Sequence, residues 1–269
     1  LYGTDLPDAD SLRRLIEEKS YGHPAARWIG VPTTAGTGSE VTCWATIWDP
    51  ERDAKRSVEC RENYAFAALV DPELAAGMPV TLAVSSALDA AAHAVESYWA
   101  KGTNAVSRGL ALEAIRTIMG HMDGLLAGTM EAHEAMARGS MLAGLAFSNT
   151  KTTACHSISY PLTMHCGIPH GAAVSMLLGP VFQLNAQALA RPEPLLDALG
   201  VSSPKELAEK VCGILRRSGQ PATLKEWGTQ REELPRLARL GMTKGRADNN
   251  PVPIEPATIL SILEQIYDS

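Results

Sequence analysis

Aromatic residues make up only 5% of the 269-residue sequence. With alanine abundant, the scarcity of large rings favours helices over a sheet-built core. Cysteine is equally sparse. Cys43, Cys60, Cys155, Cys166 and Cys212 are odd in number and scattered, with no CxxC spacing. That excludes a disulfide framework and points to free thiols in a reducing cytoplasm. There is no block of basic residues, and the net charge is -6, so nucleic acid is not the expected partner. No run approaches the roughly 18 apolar residues of a membrane span. Also missing are a signal-like leader and an initial Met. The chain is therefore expected to be a fragment of a cytoplasmic protein. Neither GxGxxG nor a P-loop lysine occurs.

What is present divides in two. Residues 10–20 have the pattern of a short amphipathic helix. Residues 27–32 form a short apolar run ending in proline, and residues 41–48 alternate as a strand would. A turn at 49–53 and a returning strand from Lys55 follow, then an apolar run at 66–70. Beyond Met78-Pro79 every long pattern is helical: 81–100 with Thr81 as cap, then 104–126, 130–147, 152–164, 170–184, 203–217, 231–240 and 256–267. The expected fold is mainly α. A β-rich remnant of an α/β nucleotide-binding domain, residues 1–75, precedes an all-helical domain, residues 76–269.

Between the first two expected strands, residues 33–40 read Thr-Thr-Ala-Gly-Thr-Gly-Ser-Glu. Such a loop, with Gly36, Gly38 and Ser39, can bring backbone N–H groups and hydroxyls close to phosphate. It also reads as an ordinary connection.

Asp89 and His93 stand four residues apart in an expected helix. That spacing stacks a carboxylate and an imidazole on one face, a chelating geometry. His156 and His170 could add two nitrogens from two other helices. One Asp oxygen and three His nitrogens suit Fe(II) or Zn(II). Singly, each has a plainer reading: an exposed Asp, or a satisfied histidine of the core or surface. His23, His121, His133 and His165 fit no comparable pattern and read as surface or structural. Lys151 either sits solvated or points into the metal cavity, where with Asn149 it would select an anionic substrate.

Together these segments resemble the iron-containing (group III) alcohol dehydrogenases. The resemblance rests on residues 32–40, on Asp89-xxx-His93, on His156 with Pro169-His170-Gly171 fourteen residues on, and on Asn249-Asn250-Pro251-Val252-Pro253 before a last helix. It implies a metal held by Asp89, His93, His156 and His170, with the nicotinamide of NAD or NADP beside it. Thr33, Thr34 and Thr37 would lie along the cofactor, and Lys55 would contact its ribose. The family's GGGS pyrophosphate segment is missing and would lie upstream of Leu1. Where many members carry a further histidine one turn after the His156 equivalent, this chain has Tyr160, a phenol able to pass a proton. The run from Asn149 to Tyr160 is similar to hydroxyethylphosphonate dehydrogenases (phosphonoacetaldehyde reductases). The implied function is hydride transfer between NAD(P) and a small alcohol or aldehyde, by a homo-oligomer. Two alternatives stay open: a dehydroquinate-synthase-like lyase, using Lys151, Lys244 and Arg246, and a non-catalytic metal-binding fragment.

Overall fold

A computed structural model describes residues 8–20, 27–52, 54–243 and 245–268. Strands occupy few of them. β1 (Ile29–Gly30) pairs in parallel with β4 (Ala67–Ala68), and β2 (Trp44–Asp49) pairs antiparallel with β3 (Ala54–Glu59). Helix α1 (Ala9–Glu17) precedes them, capped by the Asp8 side chain. Arg13 and Arg56 both hold the Asp49 carboxylate, at 2.7 and 2.8 Å, which ties α1 to the β2–β3 hairpin.

The short α2 (Glu73–Ala76) leads into α3 (Val80–Trp99), α4 (Ala105–Gly120), α5 (Met122–Leu126) and α6 (Met130–Phe147). Then come α7 (Ala154–Cys166), α8 (His170–Met176), α9 (Leu178–Asn185), α10 (Glu193–Leu199), α11 (Pro204–Arg217), α12 (Leu234–Leu240) and α13 (Pro256–Asp268). The mainly α class is what the sequence led us to expect.

The differences in detail have local causes. Pro79, not Thr81, is the N-cap of α3. The helix expected over 104–126 stops at Gly120, and His121 turns its Nδ1 onto the Thr117 carbonyl at 2.8 Å. The helix expected over 170–184 restarts at Leu178, so that Pro180, which has no N–H to give, falls in a first turn. The apolar run at 27–32 contributes only the two residues of β1 to a sheet. Of the histidines set aside, His133 is buried, His165 is half-exposed, and His23 lies outside the described residues.

The bundle is built around α3, which packs against α4, α6 and α8. A helix buried on every side must be apolar or small all round. α3 meets that with six alanines, and from Ala87 to Trp99 every residue is buried. The polar members of that stretch are therefore conspicuous: Asp89, His93, Glu96 and Ser97. Glycine allows the closest approaches. A Cβ on Gly139 of α6 would stand 2.5 Å from Ile118 Cγ1 of α4. A Cβ on Gly171 of α8 would stand 2.0 Å from the Ser85 carbonyl oxygen of α3.

Candidate metal centre

Three elements deliver the polar groups. α3 presents Asp89, His93 and Glu96 at spacings of four and three, hence along one face. α7 contributes His156 and, one turn later, Tyr160. α7 ends at Gly167, whose φ of +68° supplies the left-handed turn. Pro169 then caps α8, and His170 opens its first turn. Because position 171 has no side chain, α8 starts directly against α3, which carries His170 to Asp89.

Asp89 Oδ1 lies 3.3 Å from His156 Nε2 and 3.8 Å from His170 Nε2. One donor atom from each of Asp89, His156 and His170 lies within 4.8 Å of the other two. Asp89 Oδ1 and His156 Nε2 are buried and make no hydrogen bond. Buried polar atoms are almost always paired, and these two, left facing each other at ion-pairing distance, could hold a cation between them.

His93, the fourth residue expected, stands beside this group. Its Nδ1 is 3.2 Å from the Gly36 carbonyl, and its ring lies between Phe147 at 4.2 Å and His156 at 4.4 Å. An Nδ1–H given to a carbonyl leaves the lone pair on Nε2, the form a metal needs. The aromatic column continues from Trp44 on Phe147, at 5.3 Å, to Tyr160 stacked on His170 at 5.8 Å.

Burial pushes the His93 imidazole down to about 3, against the pull of the Asp89 carboxylate. Burial also raises the Asp89 carboxyl, but His93, His170 and His156 outweigh it and hold Asp89 well below the usual carboxylate range. Desolvation works against a charged His156, yet Glu96 and Asp89 prevail and shift it upward. The Tyr160 hydroxyl is driven up by burial and stays protonated.

Glu96 escapes a reading by motif. It is wholly buried on the face of α3 that carries Asp89 and His93, and its Oε2 meets His156 Nδ1 in a very short contact. Its Oε1 accepts from Thr153 Oγ1 at 2.6 Å and from the Cys155 backbone N–H at 2.7 Å. The available signal was spacing: Glu96 falls seven residues after Asp89, on the same face of an otherwise apolar helix.

The glycines of the loop at 33–40 have a packing role of their own. A Cβ on Gly36 would stand 2.9 Å from Ser86 O, and one on Gly38 2.6 Å from Gly144 Cα. Contact with α3 and α6 therefore already requires both glycines. The loop's outward groups are Thr33, Thr37 and Ser39, with Thr34 half-buried. The side chain of Lys55 lies outside the described residues.

A cleft of about 1000 Å³ opens beside the buried group, lined by Tyr160, Lys151, Asn149, Arg61 and Arg246 among others. Lys151 is on its wall, bound to Glu59 Oε2 at 2.7 Å, and Asn149 donates to the Leu145 carbonyl. Lys151 is thus ion-paired on the wall of the same cleft that Tyr160 lines. Arg246 lies over the Tyr160 ring, 5.6 Å from its centre, and donates to Thr152 Oγ1. His165 also lines this cleft. Among the described residues no helix is long and apolar enough to cross a membrane.

Comparison with known proteins points the same way. Residues 83–267 match the Fe-containing alcohol dehydrogenase family, C-terminal, and residues 5–72 match iron-containing alcohol dehydrogenase. Lactaldehyde reductase of Escherichia coli K12 is 30% identical over 267 residues, covering 96% of this chain and 69% of that protein. The 1,3-propanediol dehydrogenase of Klebsiella pneumoniae is 31% identical over 258 residues, covering 91% and 66%. A crystal structure of sulfoacetaldehyde reductase from Bifidobacterium kashiwanohense in complex with NAD+ superposes with a TM-score of 0.87 at 28% identity, covering 97% and 70%. The chain thus spans about two thirds of the length of these relatives. It belongs to the iron-containing alcohol dehydrogenase family, a class of NAD(P)-dependent oxidoreductases acting on small alcohols and aldehydes.

Proposed function

We propose that the chain carries the metal and substrate half of an NAD(P)-dependent reductase for small anionic aldehydes, with Asp89, His93, His156 and His170 as ligands of Fe(II) or Zn(II). The observation that carries this reading is the pair of buried, unbonded atoms Asp89 Oδ1 and His156 Nε2 facing each other at 3.3 Å, with His170 Nε2 beside them. One carboxylate oxygen with imidazole nitrogens is a donor set that both ions accept. The ion would supply Lewis-acid polarisation of a carbonyl, and the nicotinamide the hydride.

The chain's residues do the rest. The carboxylate of Asp89 gives the ligand set its negative charge. The Gly36 carbonyl holds His93 in its Nε2 lone-pair form. Tyr160, protonated and placed between His170 and the cleft, can deliver its hydroxyl proton to the alkoxide oxygen formed on reduction. Thr33, Thr34, Thr37, Ser39 and Lys55 would lie along the cofactor. At the cleft mouth Lys151, Arg61 and Arg246 outnumber Glu59, which favours a substrate with a carboxylate, sulfonate or phosphonate tail.

The test is oxidation of NADH and NADPH by the whole protein with phosphonoacetaldehyde, sulfoacetaldehyde and neutral propanal. Arg246→Ala is expected to raise KM for the two anionic aldehydes about tenfold, the loss of roughly 1.4 kcal/mol, and to leave propanal unchanged. Equal effects on charged and neutral aldehydes would remove the anion site from the account.

A further inference from the structure

We infer that Glu96 is a positioning residue of the metal centre: its carboxylate fixes the tautomer and ring orientation of His156 so that the Nε2 lone pair faces Asp89. The inference rests on the metal reading above.

The argument is one of donors and acceptors. Glu96 lies on α3, and its carboxylate meets Thr153, Cys155 and His156, which lie on or just before α7. Oε1 is fully engaged by two donors, the Thr153 hydroxyl and the Cys155 N–H. The Thr153 hydroxyl can give its proton to Glu96 because its own acceptor side takes the indole N–H of Trp99 at 2.8 Å. Trp99, Thr153 and Glu96 therefore form a chain whose polarity is set at its far end. Tryptophan only donates. Oε2 is left as an acceptor facing His156 Nδ1, which must present its proton there. A neutral imidazole with the proton on Nδ1 has its lone pair on Nε2, on the side where Asp89 Oδ1 stands at 3.3 Å.

Loop 150–153 is itself held down. Asn249 Nδ2 donates to the carbonyls of Thr150 and Thr152, at 2.8 and 3.0 Å, and Thr150 Oγ1 bonds Ser97 Oγ at 3.0 Å. The chain of donors thus starts on a fixed platform.

A glutamine at position 96 cannot meet these demands. If its oxygen faces Thr153 and Cys155, its amide NH2 faces His156 Nδ1. The proton must then move to Nε2, where no lone pair remains for a metal. If the amide is turned over, NH2 faces two donors.

Cobalt(II), whose visible ligand-field bands report its donor set, is the probe. Titration of the wild-type chain, Glu96→Gln and Thr153→Val is followed by absorbance and calorimetry, with the melting temperature of each metal-free form recorded. Glu96→Gln is expected to weaken cobalt binding by about 10–100-fold, the usual cost of losing a carboxylate behind a ligating histidine, and to shift the bands. Thr153→Val should weaken it several-fold and carries the test if Glu96→Gln does not fold. Unchanged affinity and bands in the folded variant would overturn the inference. So would a variant that only loses stability while its cobalt complex matches the wild type. A wild-type chain that takes up no cobalt would overturn the metal site and this inference with it.

Discussion

Gly171→Ala is expected to separate α8 from α3 and to lower stability by about 3 kcal/mol, the upper part of the range for overpacking a core. The new Cβ would stand 2.0 Å from the Ser85 carbonyl oxygen and 2.7 Å from its carbon. Both are backbone atoms of a helix buried in the centre of the bundle, so neither can turn aside. The helices must part by more than 1 Å to reach ordinary contact, and His170 is the neighbouring residue. The change therefore acts twice, on the fold and on the distance of 3.8 Å between His170 Nε2 and Asp89 Oδ1. The melting temperature should fall by roughly 6–12 °C, and divalent-ion binding should weaken. Gly213→Ala is the matched control. That glycine is exposed in α11 with nothing within 4 Å of the added atom, and the change should stabilise by about 0.5–1 kcal/mol. Equal melting temperatures for the two variants would contradict the packing argument.

The larger effect on chemistry is expected from Asp89→Asn. The amide keeps the shape and one oxygen but removes the only negative charge among the four proposed ligands. The loss of affinity should exceed the ~10–100-fold typical of residues behind the ligands. NAD(P)H oxidation should fall by about 1000-fold, since Lewis-acid polarisation is worth several kcal/mol and each 1.36 kcal/mol is tenfold. Thermal scans give a readout independent of turnover. At metal about 100-fold above Kd the wild type gains about 2.7 kcal/mol. For a chain of this size that is roughly 5–10 °C. Asp89→Asn should gain nothing, and an undiminished gain would place the ion elsewhere.

How much of this could be read from the residues depends on range. Asp89 and His93 are four apart in one helix, so local periodicity brought them together. His156 and His170 could join them only through the family resemblance, because the turn at Gly167 and the contact of Gly171 with α3 are tertiary facts. Glu96 shares a helix face with Asp89 and His93 by spacing, but a glutamate in a helix normally faces water, and only the burial of α3 on all sides makes it unusual. The glycines at 36 and 38 carry a second requirement that the sequence does not show. A donor-rich sequence suggests phosphate, and the fold adds that both positions are required by close contact with α3 and α6. Lys151 has a long stem that reaches either the buried site or the hairpin, and its pairing with Glu59 depends on a strand that sequence spacing does not place. The division near residues 73–78 into a nucleotide-binding remnant and a helical domain remains our proposal. It is supported by the placement, among the described residues, of all four strands before residue 69.

The measurement that bears most directly on the account is a diffraction experiment on crystals grown with Fe(II), Co(II) or Zn(II), with data collected on either side of the metal's absorption edge. An anomalous peak within coordination distance of Asp89 Oδ1, His156 Nε2 and His170 Nε2, with His93 turned toward it, is the predicted result. Crystals that carry the ion at another place, with Asp89 Oδ1 and His156 Nε2 bonded to each other, would contradict it.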